Sequence, residues 1–406
     1  SNIRYDATSA DITTMTARSY GGNVEYYSNS SASARIVTMG SGTFGFSGAL
    51  WGNAANTQNI TLAGNTNNPV VNASSTVSFI GGGSGTEIIN AGSGIWTVDG
   101  TLDISNGTFT STSDNLILQG DYTNNSGTFT HNSGTVTLST TTVQQTLTGE
   151  MVDTDAFYNL TITNTSGGGD ATNTPSVIFA NVASTTNNFT LTTADTTVRL
   201  PAAATSSFAN INWDGQGAGT PIKIRSAVSG TWTGIVVTGT QSTDYGDFMD
   251  VNACGGSTIT AYMGTSNVDS GNNSCVAFVG PTIASAENQV LEVGQTAAIS
   301  PITVTDISGG LITGDNDLRI AIATSSTNID MTWDSTDLTA SFSGSAWGDD
   351  VTSATVSYEG SDSVLVIPVT NNFEAGDQLV IDGLSFVAGS NATSSVSALD
   401  IYKDGA

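Results

Sequence analysis

A six-residue pattern of alternating apolar and polar residues recurs along the first half of this 406-residue chain. Its second and fourth positions are apolar, and its sixth is usually Gly. Copies read "NITLAG" at 59–64, "TVSFIG" at 76–81, "IWTVDG" at 95–100, "NLILQG" at 115–120, "TVTLST" at 135–140, "NLTITN" at 159–164 and, more loosely, "NFTLTT" at 188–193. The predicted repeat core is Ile60, Leu62, Val77, Phe79, Trp96, Val98, Leu116, Leu118, Val136, Leu138, Leu160 and Ile162.

Alternation with period two is typical of a strand that has one buried face. A single short strand cannot bury that face, but successive copies stacked in register can, as in a solenoid. A shift of about 20 residues places Phe109 on Phe129 and Leu116 on Val136. The alternative is a set of β-hairpins in sandwiches, for which strand spacings of about 8–12 residues would be expected. The longer spacing favours a solenoid of parallel coils over residues 55–200.

The charge balance excludes several classes of partner. Lys and Arg number 8 against 35 Asp and Glu, so the formal net charge is −27. Such a chain lacks the basic patch that nucleic acids or anionic membranes require. No apolar run is long enough for a membrane span. The hydrophobic fraction of 38% and the regular apolar spacing argue against disorder.

The chain has two cysteines, Cys254 and Cys275. A metal site is disfavoured because no other cysteine is present and the single histidine is distant in sequence. Two free buried thiols are one alternative. A disulfide is the favoured interpretation, and it would indicate an oxidising, extracellular compartment. Because the sequence begins at Ser1 without an apolar leader, we interpret it as a mature product or a portion of a longer precursor.

Two segments resemble a known class of proteins. "NNSGTFTHNSGTVTLS" followed by "TLTGE" and "FYNLTITN" is similar to coil repeats of large secreted bacterial surface proteins with a pectin-lyase-like right-handed β-helix. "PIKIRSAVSGTWTGIVVTG" and the later "DSGNNSCVAF" resemble their closing coils. The resemblance covers roughly residues 90–279 and implies a structural role without a catalytic motif.

After Pro281 the strand-like segments become longer, for example "SVLVIPVT" and "DQLVIDGLSFVA". Eight or nine such segments in about 125 residues are typical of a β-sandwich. This region resembles the immunoglobulin-like modules downstream of such β-helices. The predicted fold is therefore all-β: a right-handed parallel β-helix or solenoid followed by an immunoglobulin-like β-sandwich. The predicted domains are an N-terminal strand arm and solenoid cap at 1–50, the β-helix at 51–279 and the sandwich at 280–406.

Candidate catalytic residues are few. Asp244, Asp247 and Asp250 form an acidic cluster, and paired carboxylates perform glycoside hydrolysis. The competing interpretation is that they border a solvated strand of the closing coils. His131 is interpreted as a surface residue of the repeat, since it has no obvious catalytic partner.

Calcium is the one cofactor that the sequence suggests. Asp315 and Asp317 offer carboxylate oxygens, alone or with Asp349 and Asp350, although the twelve-residue calcium-loop pattern is absent. Asn-x-Ser/Thr motifs are frequent, and in a secreted protein they would be glycosylation acceptors. They include Asn29, Asn59, Asn72, Asn106, Asn159, Asn164, Asn188 and Asn391.

The leading functional hypothesis is a structural, non-enzymatic protein of the cell exterior. It would be a subunit of a filament or surface layer that self-associates head to tail into a homopolymer. The second hypothesis is a surface adhesin that binds glycans or host cells. The third is a polysaccharide-cleaving β-helix enzyme.

Overall fold

The computed structural model describes residues 2–7, 13–79, 81, 83–167, 174–217, 219–262, 267–287, 289–307, 310–322, 330–390 and 399–403. The chain forms two compact units. The first comprises Ser1–Ala261 and Ser266–Phe278, and the second comprises Tyr262–Thr265 and Val279–Ala406. Strands account for nearly all regular structure, and the one helical element in the described residues is a short 3₁₀ turn, η1, at Asp153–Asp155.

The strands are numbered in chain order. Those up to the end of the first unit are β1 Asn2–Asp6, β2 Thr13–Met15, β3 Ser19–Tyr20, β4 Asn23–Ser28, β5 Arg35–Met39, β6 Thr43–Phe46, β7 Leu50–Ala54, β8 Ile60–Ala63, β9 Val70–Ala73, β10 Val77–Phe79, β11 Glu87–Gly92, β12 Trp96–Val98, β13 Leu102–Asp103, β14 Gly107–Thr112, β15 Asn115–Leu118, β16 Tyr122–Asn124, β17 Thr128–Thr130, β18 Thr135–Leu138, β19 Gln145–Gly149, β20 Asn159–Ile162, β21 Val177–Phe179, β22 Ser184–Leu191, β23 Thr197–Leu200, β24 Thr205–Asp214, β25 Ile222–Ser226, β26 Thr233–Val237, β27 Gln241–Asp244, β28 Gly246–Met249, β29 Val251–Asn252, β30 Ile259–Tyr262, β31 Val268–Asp269 and β32 Val276–Val279. Those of the second unit are β33 Thr282–Ser285, β34 Thr296–Ala298, β35 Ile302–Thr305, β36 Leu318–Ile322, β37 Met331–Trp333, β38 Ser341–Ser343, β39 Ser357–Glu359, β40 Val364–Ile367, β41 Gln378–Asp382, β42 Ser385–Ala388 and β43 Leu399–Lys403.

The first unit is a solenoid built from three parallel sheets. Sheet A has twelve strands in the order β1-β4-β7-β10-β13-β16-β19-β21-β23-β25-β28-β31. Sheet B has six, β17-β14-β11-β8-β5-β2, and sheet C runs β29-β26-β24-β22-β20-β18-β15-β12-β9-β6-β3, with β27 beside β24. In the early coils, successive strands belong to sheets A, B and C in turn, so each strand pairs with the strand three positions later in the chain. The predicted all-β fold with a parallel solenoid is confirmed, while its right-handedness stays a prediction.

The repeat lies in register from residue 95 onwards. Trp96 pairs with Leu116, Leu116 with Val136 and Val136 with Leu160, all in sheet C. The two earlier copies belong to other columns, since Ile60 lies in sheet B and Val77 in sheet A. All three sides share the same alternation, so the pattern identified strands but did not assign them to a sheet.

The first fifty residues, where a strand arm and cap were predicted, form strands of the solenoid itself. β1 pairs with β4 over five residues, from Asn2 opposite Asn23 to Asp6 opposite Tyr27. β2 begins sheet B and β3 begins sheet C. The coiled architecture therefore starts about fifty residues earlier than the predicted β-helix.

Sheet B ends at β17, and beyond it the longer strands β22 and β24 form that side of the solenoid. Phe157 follows η1, and its ring lies 5.5 Å from that of Phe129 in β17. An isolated bridge joins Phe157 to Thr185, which pairs with Phe208, which pairs in turn with Val237. The first halves of β22 and β24 thus replace separate short strands. Each long strand runs from that side of the solenoid into sheet C, with a register shift in the pairing of β22 and β24 between Thr185 and Asn188.

The solenoid interior is one continuous apolar core. Phe109 and Phe129 stack with ring centroids 6.4 Å apart, and both are fully buried. Gly107 makes room for the ring of Phe79, which a Cβ atom at this position would overlap. All twelve predicted repeat-core side chains are buried. Burial of such apolar area is the dominant favourable contribution to folding.

The second unit consists of antiparallel sheets: β33-β35-β41-β38, β34-β42-β37 and β39-β40-β36-β43. Their inner residues form a separate apolar core that includes Val304 of β35, Leu379 of β41, Trp333 and Phe386. The rings of Trp333 and Phe386 lie 4.6 Å apart. The coarse prediction of an antiparallel β unit holds, while its immunoglobulin-like identity stays a prediction.

Candidate functional site

The acidic cluster beside β28 is bound into the last coils of the solenoid. Asp247 forms a buried ion pair with Arg225, and the hydroxyl of Ser270 donates to its other oxygen at 2.6 Å. The Arg225 guanidinium also donates to the main-chain carbonyl of Asp247 at 2.6 Å. These contacts join β25, β28 and the segment after β31, and they occupy the carboxylate that the enzymatic interpretation would need.

Asp250 has a similar structural environment. It is buried, and its carboxylate accepts hydrogen bonds from the main-chain N–H of Gly230 at 3.0 Å and the amide of Asn272 at 2.7 Å. Its positive φ of 60° marks the turn between β28 and β29. Asp244, at the end of β27, is half-buried. Two of the three candidate carboxylates of the acidic cluster therefore stabilise turns and coil contacts.

Cys254 and Cys275 form a disulfide with Cα atoms 5.0 Å apart. The N–H of Ile259 donates to the carbonyl of Cys275, next to the pairing of β30 with β32. The bond thus ties the final loops of the solenoid together. A cross-link of this kind stabilises chiefly by restricting the unfolded chain.

His131 lies in the turn after β17. Its Nδ1 accepts a hydrogen bond from the N–H of Ser133 at 2.9 Å, and its ring lies 5.4 Å from that of Tyr158. The first contact lies within the turn and the second is with a residue further along the chain, and both are structural.

Asp315 is exposed and Asp317 half-buried in the turn before β36. No group of three or more His, Cys, Asp or Glu side chains is arranged to hold a metal ion in the part of the chain that the structure describes. Asp350 is buried, and its pKa is raised, first by burial and then by the neighbouring carboxyls of Asp377 and Asp349. Calcium binding stays a prediction.

The glycosylation motifs differ in accessibility. Asn164 is fully buried, and its amide donates to Gln145 at 3.0 Å and to the carbonyl of Ser176 at 3.0 Å. A glycan cannot be attached to Asn164 in this fold. Asn29 and Asn106 are exposed, and Asn391 lies outside the described residues.

The outward face of sheet C is free of charge over several coils. Most of its side chains are hydroxyls and amides, and several are linked between coils: Thr137 donates to Asn115 at 2.8 Å, and Asn187 donates to Asn159 at 2.8 Å. One outward row consists of Thr97, Ile117, Thr137, Thr161, Thr190 and Asn212. In a chain of net charge −27, this neutral surface is distinctive.

The first coil carries a cluster of aromatic and basic side chains. The Arg4 guanidinium lies over the ring of Tyr27, 3.1 Å from its centroid. The hydroxyls of Tyr5 and Tyr20 are 2.8 Å apart, and that of Tyr20 donates to the carbonyl of Thr16. Burial, together with the hydrogen bond to Tyr5, raises the pKa of Tyr20 to about 12. The cluster holds β1 and β3 in place, and no sequence pattern predicted it.

No helix among the described residues is long and apolar enough to cross a lipid bilayer. Comparison with models of known families, with curated proteins and with solved structures found no match.

Proposed function

We propose that this chain is a structural, extracellular protein: a self-assembling subunit of a cell-surface filament or surface layer. The observation that carries the proposal is the uninterrupted twelve-strand sheet A and the continuous core beneath it. Twelve parallel strands spaced about 4.8 Å apart form a rod about 50 Å long. Close-packed interiors are stiff, so such a rod suits a mechanical role.

Two further features support this proposal. The Cys254–Cys275 disulfide suits an oxidising compartment outside the cell. The carboxylates of Asp247 and Asp250 are used for structural hydrogen bonds, which favours a mechanical over a catalytic role. A right-handed pectin-lyase-like β-helix and an immunoglobulin-like second unit belong to the same proposal.

A glycan-binding adhesin is the second candidate, and the neutral face of sheet C favours it. Outward hydroxyls and amides can exchange hydrogen bonds with sugar hydroxyls. Binding of immobilised neutral glycans that is lost in Thr161→Lys, but retained in Thr123→Lys on sheet A, would support this candidate. Binding that is equal in both variants, or absent, would remove it.

Pelleting combined with negative-stain electron microscopy tests self-assembly. Residues 1–406 should form regular fibres or sheets as concentration rises, and a matched chain lacking residues 1–20 tests whether the first coil participates. Particles that remain monomeric at every salt and calcium concentration would refute the filament proposal.

A further inference from the structure

In the described part of the chain, β1 is paired along one edge only, with β4. The N–H of Ala7 donates to the carbonyl of Tyr27 at 3.0 Å, which identifies the residues that face β4. In a parallel pair, a residue directs its N–H and C=O to one neighbour and the next residue directs them to the other. Ile3, Tyr5 and Ala7 therefore direct their main-chain N–H and C=O groups to β4. Asn2, Arg4 and Asp6 direct theirs to the other edge.

Among the described residues, the apolar core is also incompletely covered at this end. Ile3, Tyr5 and Ala17 pack against the core but are only partly buried, in contrast to the fully buried residues of later coils. An open edge above partly exposed apolar side chains is a template for strand addition. The first coil therefore offers main-chain hydrogen bonds and apolar surface at the same place.

We propose that β1 is a docking strand for a second copy of this chain, paired antiparallel across a two-fold axis. A two-fold contact brings the same surface of both copies together, so the strand must be complementary to itself. This inference rests on the proposed self-assembling function and names one of its contacts, because a two-fold pair closes on itself and a filament needs a second, different contact between dimers. The two copies would share one continuous sheet through their sheets A.

The sequence of β1 is self-complementary in one antiparallel register. With Tyr5 opposite Tyr5 of the second copy, Arg4 lies opposite Asp6 of the second copy, and Asp6 opposite its Arg4. Arg4 and Asp6 both direct main-chain groups to the edge, so each such pair exchanges two N–H···O bonds. Opposite charges on directly facing residues are favourable, and like charges are not.

The neighbouring register is disfavoured by charge. Moving one strand along by two residues places Arg4 opposite Arg4 while keeping the hydrogen-bonding pattern. Repulsion between facing like charges opposes that register and selects the first. The inner side chains agree with this choice, because Ile3 then lies opposite Ala7 of the second copy on the core side.

Arg4 and Asp6 are available for such contacts. The Arg4 Nε lies 3.8 Å from Asp6 and 3.7 Å from Glu25, and the Arg4 side chain is 43% exposed. Long, exposed ion pairs contribute little stability. Exchanging these ion pairs for pairs across the two-fold axis therefore opposes docking only weakly, and the contact of the Arg4 guanidinium with the Tyr27 ring is the larger interaction that docking must keep or replace.

Analytical ultracentrifugation of residues 1–406 tests the contact. We expect a concentration-dependent dimer that weakens with salt. Asp6→Arg should raise the dimer dissociation constant at least about tenfold, because Arg4 then faces Arg at both pairs. The double variant Arg4→Asp/Asp6→Arg restores opposite charges and should return the constant to near the starting value.

A main-chain variant tests the hydrogen bonds separately. Asp6→Pro removes an N–H that faces the open edge, while the bond between Ala7 and Tyr27 remains. Asp6→Ala is the matched control that removes the charge alone, so Asp6→Pro should weaken the dimer more. Circular dichroism and thermal unfolding check that each variant stays folded.

The outcomes separate this contact from the filament. A dimer with the expected charge reversal but no fibres would support the contact and refute the filament. Fibres that Asp6→Pro and Asp6→Arg leave unchanged would support the filament and overturn the contact. A chain that is monomeric at every concentration, or a dimer indifferent to all these variants, would also overturn the contact.

Discussion

Replacing Asp247 by Ala should destabilise the last coils of the solenoid severely. The side chains of Asp247 and Arg225 are 12% and 6% exposed, and Asp247 also accepts a hydrogen bond from Ser270. The substitution would leave the Arg225 guanidinium buried beside an empty position. Removing one partner of a buried ion pair costs about 3–5 kcal/mol, chiefly because the remaining charge is uncompensated.

The predicted destabilisation arises because Asp247→Ala leaves the Arg225 charge unpaired, and a second variant tests this cause. Arg225→Met/Asp247→Leu replaces both charges by apolar groups of similar volume. Such replacements are often nearly neutral or stabilising. The double variant should therefore recover most of the stability that Asp247→Ala loses.

Hydrogen exchange of residues 222–249 measures the free energy of local opening in these coils. Asp244→Ala is the matched control, because Asp244 is half-buried in the same cluster and should cost less than about 1 kcal/mol. If Asp247→Ala changes exchange no more than Asp244→Ala, the buried ion pair is not a structural tie. Turnover of an acidic polysaccharide that Asp247→Ala abolishes without loss of stability would instead support the enzymatic interpretation.

Three further predictions concern the core, the disulfide and the second unit. Phe129→Ala should lower the free energy of unfolding in urea by about 3–5 kcal/mol, because it leaves a cavity between fully buried rings. Thr130→Ala, at an exposed neighbour, should lower it by less than about 0.5 kcal/mol. Equal losses in the two variants would contradict the stacked packing of Phe109 and Phe129. Reducing the Cys254–Cys275 bond should lower stability by about 2–4 kcal/mol. Protection from hydrogen exchange should then fall within residues 250–279. A fall seen only outside those residues would contradict the role of the disulfide as a local tie. Because the folded pKa of Asp350 is raised above its ordinary 3.8, its stabilising contribution is present below that value and is lost as pH rises through the folded pKa. The melting temperature of the second unit should therefore fall as the pH rises from 3.8 through the folded pKa of Asp350. Asp350→Asn should remove this part of the pH dependence, whereas the control Asp382→Asn should leave it.

The strands of the solenoid could be predicted because each buries alternate residues, and that alternation is visible in sequence. Their assignment to sheets could not, because Ile60, Val77 and Trp96 follow the same pattern on three different sides. The start of the solenoid was also wrongly placed. The first coils contain few repeat-like segments, and contacts such as those of Tyr5 with Tyr20 hold them together instead.

Buried polar groups were the least predictable part of the candidate site. Glu87 is fully buried in the solenoid and accepts a hydrogen bond from the N–H of Ala54 at 2.8 Å, 33 residues away. Asp247 is held by Arg225, 22 residues earlier. Such partners meet only once the coils are stacked, so local sequence patterns carry no sign of them. The acidic cluster therefore resembled a catalytic pair in sequence.

Electron cryomicroscopy of the assembled protein tests the central claim most directly. A filament or layer built from these solenoids should show regular subunits and a strand spacing of about 4.8 Å along each solenoid axis. Particles that stay monomeric under all conditions, or assemblies without that spacing, would contradict a structural polymer built from stacked parallel coils.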